Sequence, residues 1–369
     1  MSDHDLMSKG EHMMTVCNAC RYCEGFCAVW PAMEFRRAFP PNDLNYLANL
    51  CHDCNECYYA CQYAPPHEFE VNAPLTFAQI RVRSYEKYAW PGFIAKAFRK
   101  NGLLASLLSA LTLIVFFFAV TSSLGDKSLT TAIPGGDFFQ ITPHEALITA
   151  FGLVSLFVLL ALFIGFTRFW RDTGEKLPDF FNPSALATAL KETLRLEYLD
   201  DLGWGCTYPE EEHSQARRWF HHFTFYGFML CFAATTVGAF YHFILRWEAP
   251  YEYVSLPVIL GALGGIGLVA GPIGLLLLKA RRNREVSDER QYSIDVSFTV
   301  LLLLTSISGL LLLILRETPA MGALLVIHLG FVMALFLALP YGKFVHSVYR
   351  FAALVKYALE RARKKALGV

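Results

Sequence analysis

From about residue 103 the chain alternates long apolar runs with short polar loops, whereas residues 1–102 are polar and cysteine-rich. A helix needs about 20 mainly apolar residues to cross roughly 30 Å of hydrocarbon. Six stretches reach that length: 103–123, 144–169, 219–245, 257–279, 295–315 and 321–345. The fifth contains SFTVLLLLTSISGLLLLIL, without a single charge. The fourth contains VILGALGGIGLVAGPIGLLLL, whose glycines suit close helix packing. Its Pro272 predicts a kink of the kind a supported membrane helix tolerates. Two segments outside these runs look amphipathic. Residues 183–199 carry Leu186, Leu190 and Leu194 at i+4 spacing, one face of a helix. Residues 84–100 mix Tyr, Trp and Phe with lysine, as interfacial segments do. Ordinary surface packing accounts for both equally well. The pattern predicts an all-α protein, a polar helical domain followed by a six-helix transmembrane bundle.

Charge orients that bundle. Of 369 residues 54% are hydrophobic and only 17% charged, against about 25% charged in soluble domains. Lys+Arg and Asp+Glu balance at 32 each, so the chain lacks a nucleic-acid footprint. The loops 124–143, 246–256 and 316–320 hold one basic residue each, Lys127, Arg246 and Arg316; the other 29 fall on the opposite side. Among these are Lys96, Arg99, Lys100, Arg168, Arg171, Lys279, Arg281, Arg282 and Arg284, then Arg361, Arg363, Lys364 and Lys365. The positive-inside rule therefore predicts a multi-pass protein of the bacterial inner membrane with both termini in the cytoplasm. The start, MSDHDLMSKGEHMM, lacks the apolar core of a secretory signal. The expected organisation is a cytoplasmic cysteine-rich domain over 1–100, a six-span membrane domain over 101–350 with a cytoplasmic loop at 170–218, and a basic tail over 351–369.

Eight of the ten cysteines lie between Cys17 and Cys61. Cys17-x2-Cys20-x2-Cys23-x3-Cys27 is followed by Cys51-x2-Cys54-x2-Cys57-x3-Cys61, the bacterial ferredoxin spacing given twice. A cubane cluster needs four converging thiolates. A tight turn supplies three, and in two-cluster ferredoxins the fourth cysteine of each run serves the other cluster. Cys17, Cys20, Cys23 and Cys61 are thus expected to hold one [4Fe–4S] cluster, and Cys51, Cys54, Cys57 and Cys27 the second. Zinc sites use four ligands, commonly as two separated pairs, a poor match to four cysteines within eleven residues. Ala28 and Gln62 stand where such runs usually carry proline, and the connector AVWPAMEFRRAFPPNDLNYLANL looks helical. A helical ferredoxin domain is therefore expected, with Asn42 or Asp43 capping the run into Cys51. His52 and His67 read as neighbours of the clusters rather than ligands.

Ionisable groups inside spans are rare and usually functional. His221, His222 and His242 fall on the third span, His328 and His346 on the sixth. Paired neutral imidazoles are a standard way to hold haem iron. Antiparallel third and sixth spans would bring His221 or His222 to His346 on the cytoplasmic side, and His242 to His328 toward the other side. Eighteen residues make five whole helical turns, so His328 and His346 would share a face of one continuous helix, about 27 Å apart. Phase favours His221 over His222 as the residue aligned with His242. One or two b-type haems are expected. His144 has no evident partner and reads as interfacial; Cys231 reads as a small buried residue.

The double cysteine motif, the loop LGWGCTYP (Leu202 to Pro209) and the stretch RRWFHHFTFYGFMLCF (Arg217 to Phe232) resemble the tricarballylate utilisation protein B family (TcuB, also CitB), related to the C-terminal half of CobZ. The resemblance covers essentially the whole chain. It implies iron–sulfur clusters on the eight cysteines, haem, and a soluble FAD-containing dehydrogenase (TcuA-like) as partner. Such a partner oxidises tricarballylate to cis-aconitate and is reoxidised through this chain toward membrane quinone. The residues agree with a carrier role: no nicotinamide fingerprint or P-loop is present, so substrate chemistry is expected on another chain. A membrane-bound redox sensor is a second reading. A third is an electron-transfer subunit of another oxidoreductase, heterodisulfide-reductase-like or of the cobalamin pathway. Cys206, in the family-like loop, has no assigned role and reads first as part of a turn.

Overall fold

The computed structural model describes residues 2–100, 102–123, 129–200, 204–207 and 211–368. Lys127 and the loop residues Leu202, Gly203, Tyr208 and Pro209 lie outside them, as do the side chains of Arg99 and Lys100. The polar first part forms α1 (Asp3–Cys20), α2 (Val29–Glu34), α3 (Pro41–Leu50), α4 (Glu56–Tyr59), α5 (Ala73–Tyr88) and α6 (Gly92–Lys100). Then come α7 (Gly102–Ser123), α8 (His144–Asp172), α9 (Leu177–Phe180), α10 (Pro183–Arg195), α11 (Ala216–Phe243), α12 (Leu256–Ala280), α13 (Glu289–Ile314), α14 (Met321–Ala338) and α15 (Val345–Leu367). Among the described residues the architecture is all-α, with one isolated antiparallel bridge between Cys206 and Ser214.

Among the described residues five helices, α8 and α11 to α14, are long and apolar enough to cross a membrane. The first expected span coincides with α7, whose described apolar stretch is Ala105–Val115. Apolar side chains of these helices point outward: Leu153, Leu156 and Leu159 of α8 are each 65% exposed. Such a surface is stable only in hydrocarbon. Because lipid is as apolar as the side chains, the helices associate through close packing instead. Gly227 of α11 meets α12 backbone to backbone. A Cβ added there would lie 2.9 Å from the Gly264 carbonyl oxygen and 3.0 Å from the Leu268 nitrogen. Gly227→Val is therefore expected to force α11 off α12 and sharply reduce the yield of folded protein in membranes, measured by fluorescence-detected size exclusion in detergent.

The sixth expected span ends early. α14 stops at Ala338, residues 339–344 turn around Pro340 and Gly342, and α15 begins at Val345. Pro340 removes one backbone donor and Gly342 gives its N–H to the Ala338 carbonyl at 2.8 Å, closing the turn. His328 and His346 thus stand on two helices, and the shared-face spacing expected of one continuous helix does not apply. The boundary expected at 350/351 falls inside α15, whose Ala352, Ala353, Leu354 and Val355 are fully buried.

That burial joins the two parts of the chain. α8, at 29 residues, is about 43 Å long and outruns the hydrocarbon. Its last turns carry Phe169 and Trp170 into one core with Met14, Leu44, Leu47 and Phe77 of the polar domain and Tyr349 and Val355 of α15. Full burial of each such side chain stabilises by about 1.5–3 kcal/mol. Arg36 adds an ion pair to Glu360 of α15 at 2.6 Å. The cysteine domain and the membrane helices are therefore one structure. On α10 Ala185 and Ala189 are buried and Leu186 packs against the same core, while Leu190 and Leu194 of the leucine stripe are 50% and 38% exposed.

Candidate metal centres and the cavity beside them

The eight motif cysteines separate into two groups. Cys17, Cys20, Cys23 and Cys61 line a cavity of about 300 Å³ that opens to the surface beside Tyr22 and Gln62, with Cys57 at the border of both groups. Cys27, Cys51, Cys54 and Cys57 line a narrower cleft with Phe26, Trp30 and Phe77. Each group borrows its fourth cysteine from the other run. In the second loop, Asp53 (φ 60°) and Asn55 (φ 69°) adopt left-handed backbone, which Asp and Asn tolerate better than other side chains. Those two positions turn the chain so that Cys51, Cys54 and Cys57 face inward together.

Burial, with neighbouring thiols adding, holds Cys17, Cys23, Cys27 and Cys57 above the ordinary thiol range, Cys23 being pushed up to about 12. Four clustered sulfurs shed their protons only when metal charge compensates them. Among the described residues no three His, Cys, Asp or Glu side chains converge on a single ion. Two groups of four cysteines around voids, with no one-ion site among the described residues, fit iron–sulfur cubanes.

The second loop is clamped from four directions. Arg81 of α5 donates to the carbonyls of Ala48 (2.9 Å) and Cys51 (3.2 Å), and Arg350 of α15 to that of Cys51 at 2.6 Å. Arg217 of α11 donates to the carbonyls of Asp53 (2.7 Å) and His52 (2.8 Å). Arg282, after α12, grips the Asp53 carboxylate through two bonds of 2.6 and 2.8 Å. Although burial alone would raise it, that guanidinium holds the Asp53 carboxyl well below the usual carboxylate range. A folded-state pKa below the unfolded value contributes stability that is present above about pH 4 and is lost as pH falls through the folded value. Asp53→Ala strips Arg282 of the carboxylate it grips. Breaking one side of a buried pair costs about 3–5 kcal/mol, read as a lower unfolding midpoint in thermal melts of the purified protein.

Behind this loop lies a second cavity, about 220 Å³, between α11, α12, α13 and α15. His52 and Asp53 form part of its wall, facing His221 and His346. The rings of His221 and His346 stand 6.2 Å apart, centre to centre. Two imidazoles bound on opposite sides of one iron, at about 2.0–2.1 Å per Fe–N bond, have ring centres about 6 Å apart. His346 Nδ1 donates to the Lys343 carbonyl at 2.6 Å, which leaves Nε2 to ligate. His221 Nδ1 is buried without a hydrogen-bond partner. Phe225, Phe228 and Phe298 supply apolar walls; Arg217, Arg350 and Lys343, the last ion-paired with Asp295 at 2.7 Å, add positive charge to the lining. Apolar walls, basic side chains and an opposed histidine pair fit haem with its carboxylate side chains.

The other histidines lie elsewhere. His222 turns toward Trp219 and Tyr226. His242 packs its ring on His144 at 4.0 Å, and His328 Nδ1 meets the Ser308 hydroxyl at 3.0 Å. The expected pairing of His242 with His328 is thus replaced by His242 with His144, because α8 rather than α14 brings a histidine to that end of α11. Two rings 4.0 Å apart leave no room for an iron between them. Sequence reasoning missed the four arginines and gave no role to Cys206, which is buried in a small cluster against which Cys54 packs. The turn it expected there is marked by Gly205. Gly205 has φ +90°, and a Cβ there would collide with the Ser214 backbone.

Comparison with known proteins agrees with the two-part build. A family model described as Citrate utilization protein B Fer4-like domain matches residues 10–87. The Citrate utilization protein B model matches residues 98–367. The Escherichia coli protein named Citrate utilization protein B is 50% identical over 360 residues, covering 97% of this chain and 94% of that protein. No solved structure matches. With a ferredoxin-like domain joined to apolar helices and both family models matched, this electron-transfer membrane protein belongs to the citrate utilization protein B family.

Proposed function

We propose that this chain carries electrons from a soluble FAD-dependent tricarballylate dehydrogenase to membrane quinone, through two [4Fe–4S] clusters and a b-type haem. One observation carries the reading: the loop holding Cys51 and Cys54 is also the wall of the His221–His346 cavity. When bound, the clusters and haem supply one-electron steps, which divide the electron pair of a reduced flavin.

The residues order the route. Cys17, Cys20, Cys23 and Cys61 surround the cavity that opens to the surface, where a soluble donor can approach. Cys27, Cys51, Cys54 and Cys57 lie deeper, between that cavity and the histidine pair. Arg81, Arg217, Arg282 and Arg350 surround the second loop with positive charge, which favours an added electron there over the outer group. His221 and His346 would hold the haem iron. The basic-residue count puts the cysteine domain in the cytoplasm, where a soluble flavoprotein is available. A sensor gives no reason for the deeper cysteine loop to wall a histidine cavity.

Membranes containing this chain, given the flavoprotein and tricarballylate, should reduce a quinone analogue. Absence of reduction with clusters and haem intact would sink the proposal.

A further inference from the structure

His221 of α11 and His346 of α15 line one cavity, and each has an arginine one helical turn away on the same face: Arg217 precedes His221 on α11, and Arg350 follows His346 on α15. Both arginines line that cavity as well. Both also grip the loop of the inner cysteines. Arg350 donates to the Cys51 carbonyl at 2.6 Å, and Arg217 to the carbonyls of His52 and Asp53 at 2.8 and 2.7 Å. Three successive peptide carbonyls are thus held from the two helices that present the histidines. His52 and Asp53 in turn line the cavity on one side and the cysteine cleft on the other. Arg81 and Arg282 also reach this loop and cavity, but from α5 and from the end of α12, helices that carry no histidine. The charge of Arg282 is matched by the Asp53 carboxylate, whereas Arg350 gives its bonds to the neutral carbonyls of Asn49 and Cys51.

We infer that Arg217 and Arg350 are positioning residues shared by two centres: each ties the inner cysteine loop to a haem-holding helix and sets a cation beside both. The inference rests on the reading of Cys51 as a cluster ligand and of His221 and His346 as the residues that hold haem. Four residues of helix rise about 6 Å, so the guanidinium bonds fix the loop at a set distance from each imidazole. Reduction adds one negative charge to a cluster or to a haem. A buried cation nearby stabilises that charge, because the interior screens it far less than water does, and potentials follow local charge. The same two guanidinium groups therefore raise the potentials of the inner cluster and of the haem together. Neither arginine lines the cavity of Cys17, Cys20, Cys23 and Cys61, so the outer cluster is not raised with them. Raising both inner centres at once draws electrons inward and keeps the step between cluster and haem small.

The test is a redox titration of the full-length protein in detergent, with the clusters followed by electron paramagnetic resonance and the haem by its α band. Arg350→Gln keeps an amide donor and removes the charge. In it the inner cluster and the haem should both shift toward the oxidised form by about tenfold, about 59 mV lower for a one-electron couple. The outer cluster should not move. Arg350→Lys restores the charge and should return both centres toward the wild type, which a clamp that only holds the backbone does not predict. Should Arg350→Gln fail to assemble, Arg217→Gln and Arg217→Lys carry the same comparison. Unchanged potentials in a glutamine variant with iron and haem intact would overturn the inference. So would a shift of one inner centre without the other, or an equal shift of the outer cluster. A wild-type chain that lacks haem or holds one cluster would overturn the reading of the centres themselves, and this inference with it.

Discussion

His346→Ala is expected to leave the chain without its haem while its iron–sulfur content is unchanged. The ring of His346 is held by Nδ1 on the Lys343 carbonyl, with the other nitrogen toward a cavity shared with His221. His221 would be the other residue holding the haem, so His221→Ala should behave alike. The dithionite-reduced spectrum should lose its b-type α band, and quinone reduction should fall to background. His222→Ala and His328→Ala should keep full haem, because those rings are engaged with Tyr226 and with Ser308 instead. Full haem in His346→Ala, or its loss in His328→Ala, would refute the assignment.

The second large effect concerns which cysteines act together. Cys27→Ala should remove the inner cluster and Cys61→Ala the outer one, although each belongs to the opposite sequence run. Cluster iron should drop from about eight to about four atoms per chain in either variant. The remaining resonance signal should be that of the outer cluster in Cys27→Ala and of the inner one in Cys61→Ala. Loss of the same signal in Cys17→Ala and Cys27→Ala would contradict the crossed grouping.

Much of the fold was legible because the signals are local. Apolar runs announced the membrane helices, and all five helices that meet the length and hydropathy of a span were among the six expected. The cysteine spacing pointed to a ferredoxin-like domain, in keeping with the Fer4-like model over residues 10–87. What could not be read depended on contacts between distant elements. Nothing in the apolar run from Met321 to Val345 shows that Pro340 and Gly342 end one helix and start another, since membrane helices often tolerate both residues. His144 finds His242 only because α8 packs there. The charges of Arg217, Arg282 and Arg350 count toward orientation in the sequence, yet they are bound to the Cys51–Asp53 loop, and only the assembled chain reveals that. The leucines of α10 mark a helix correctly, but the covered face is centred on Ala185 and Ala189, and of the three leucines Leu186 packs against the core while Leu190 and Leu194 stay exposed.

The claim at the centre is that one chain joins two cysteine-held clusters to a histidine-held haem. Iron, acid-labile sulfide and haem measured together on the purified chain test it most directly. About eight iron atoms in clusters, about eight sulfides and one b-type haem per chain are predicted. Zinc in place of iron and sulfide, or no haem with both clusters present, would contradict it.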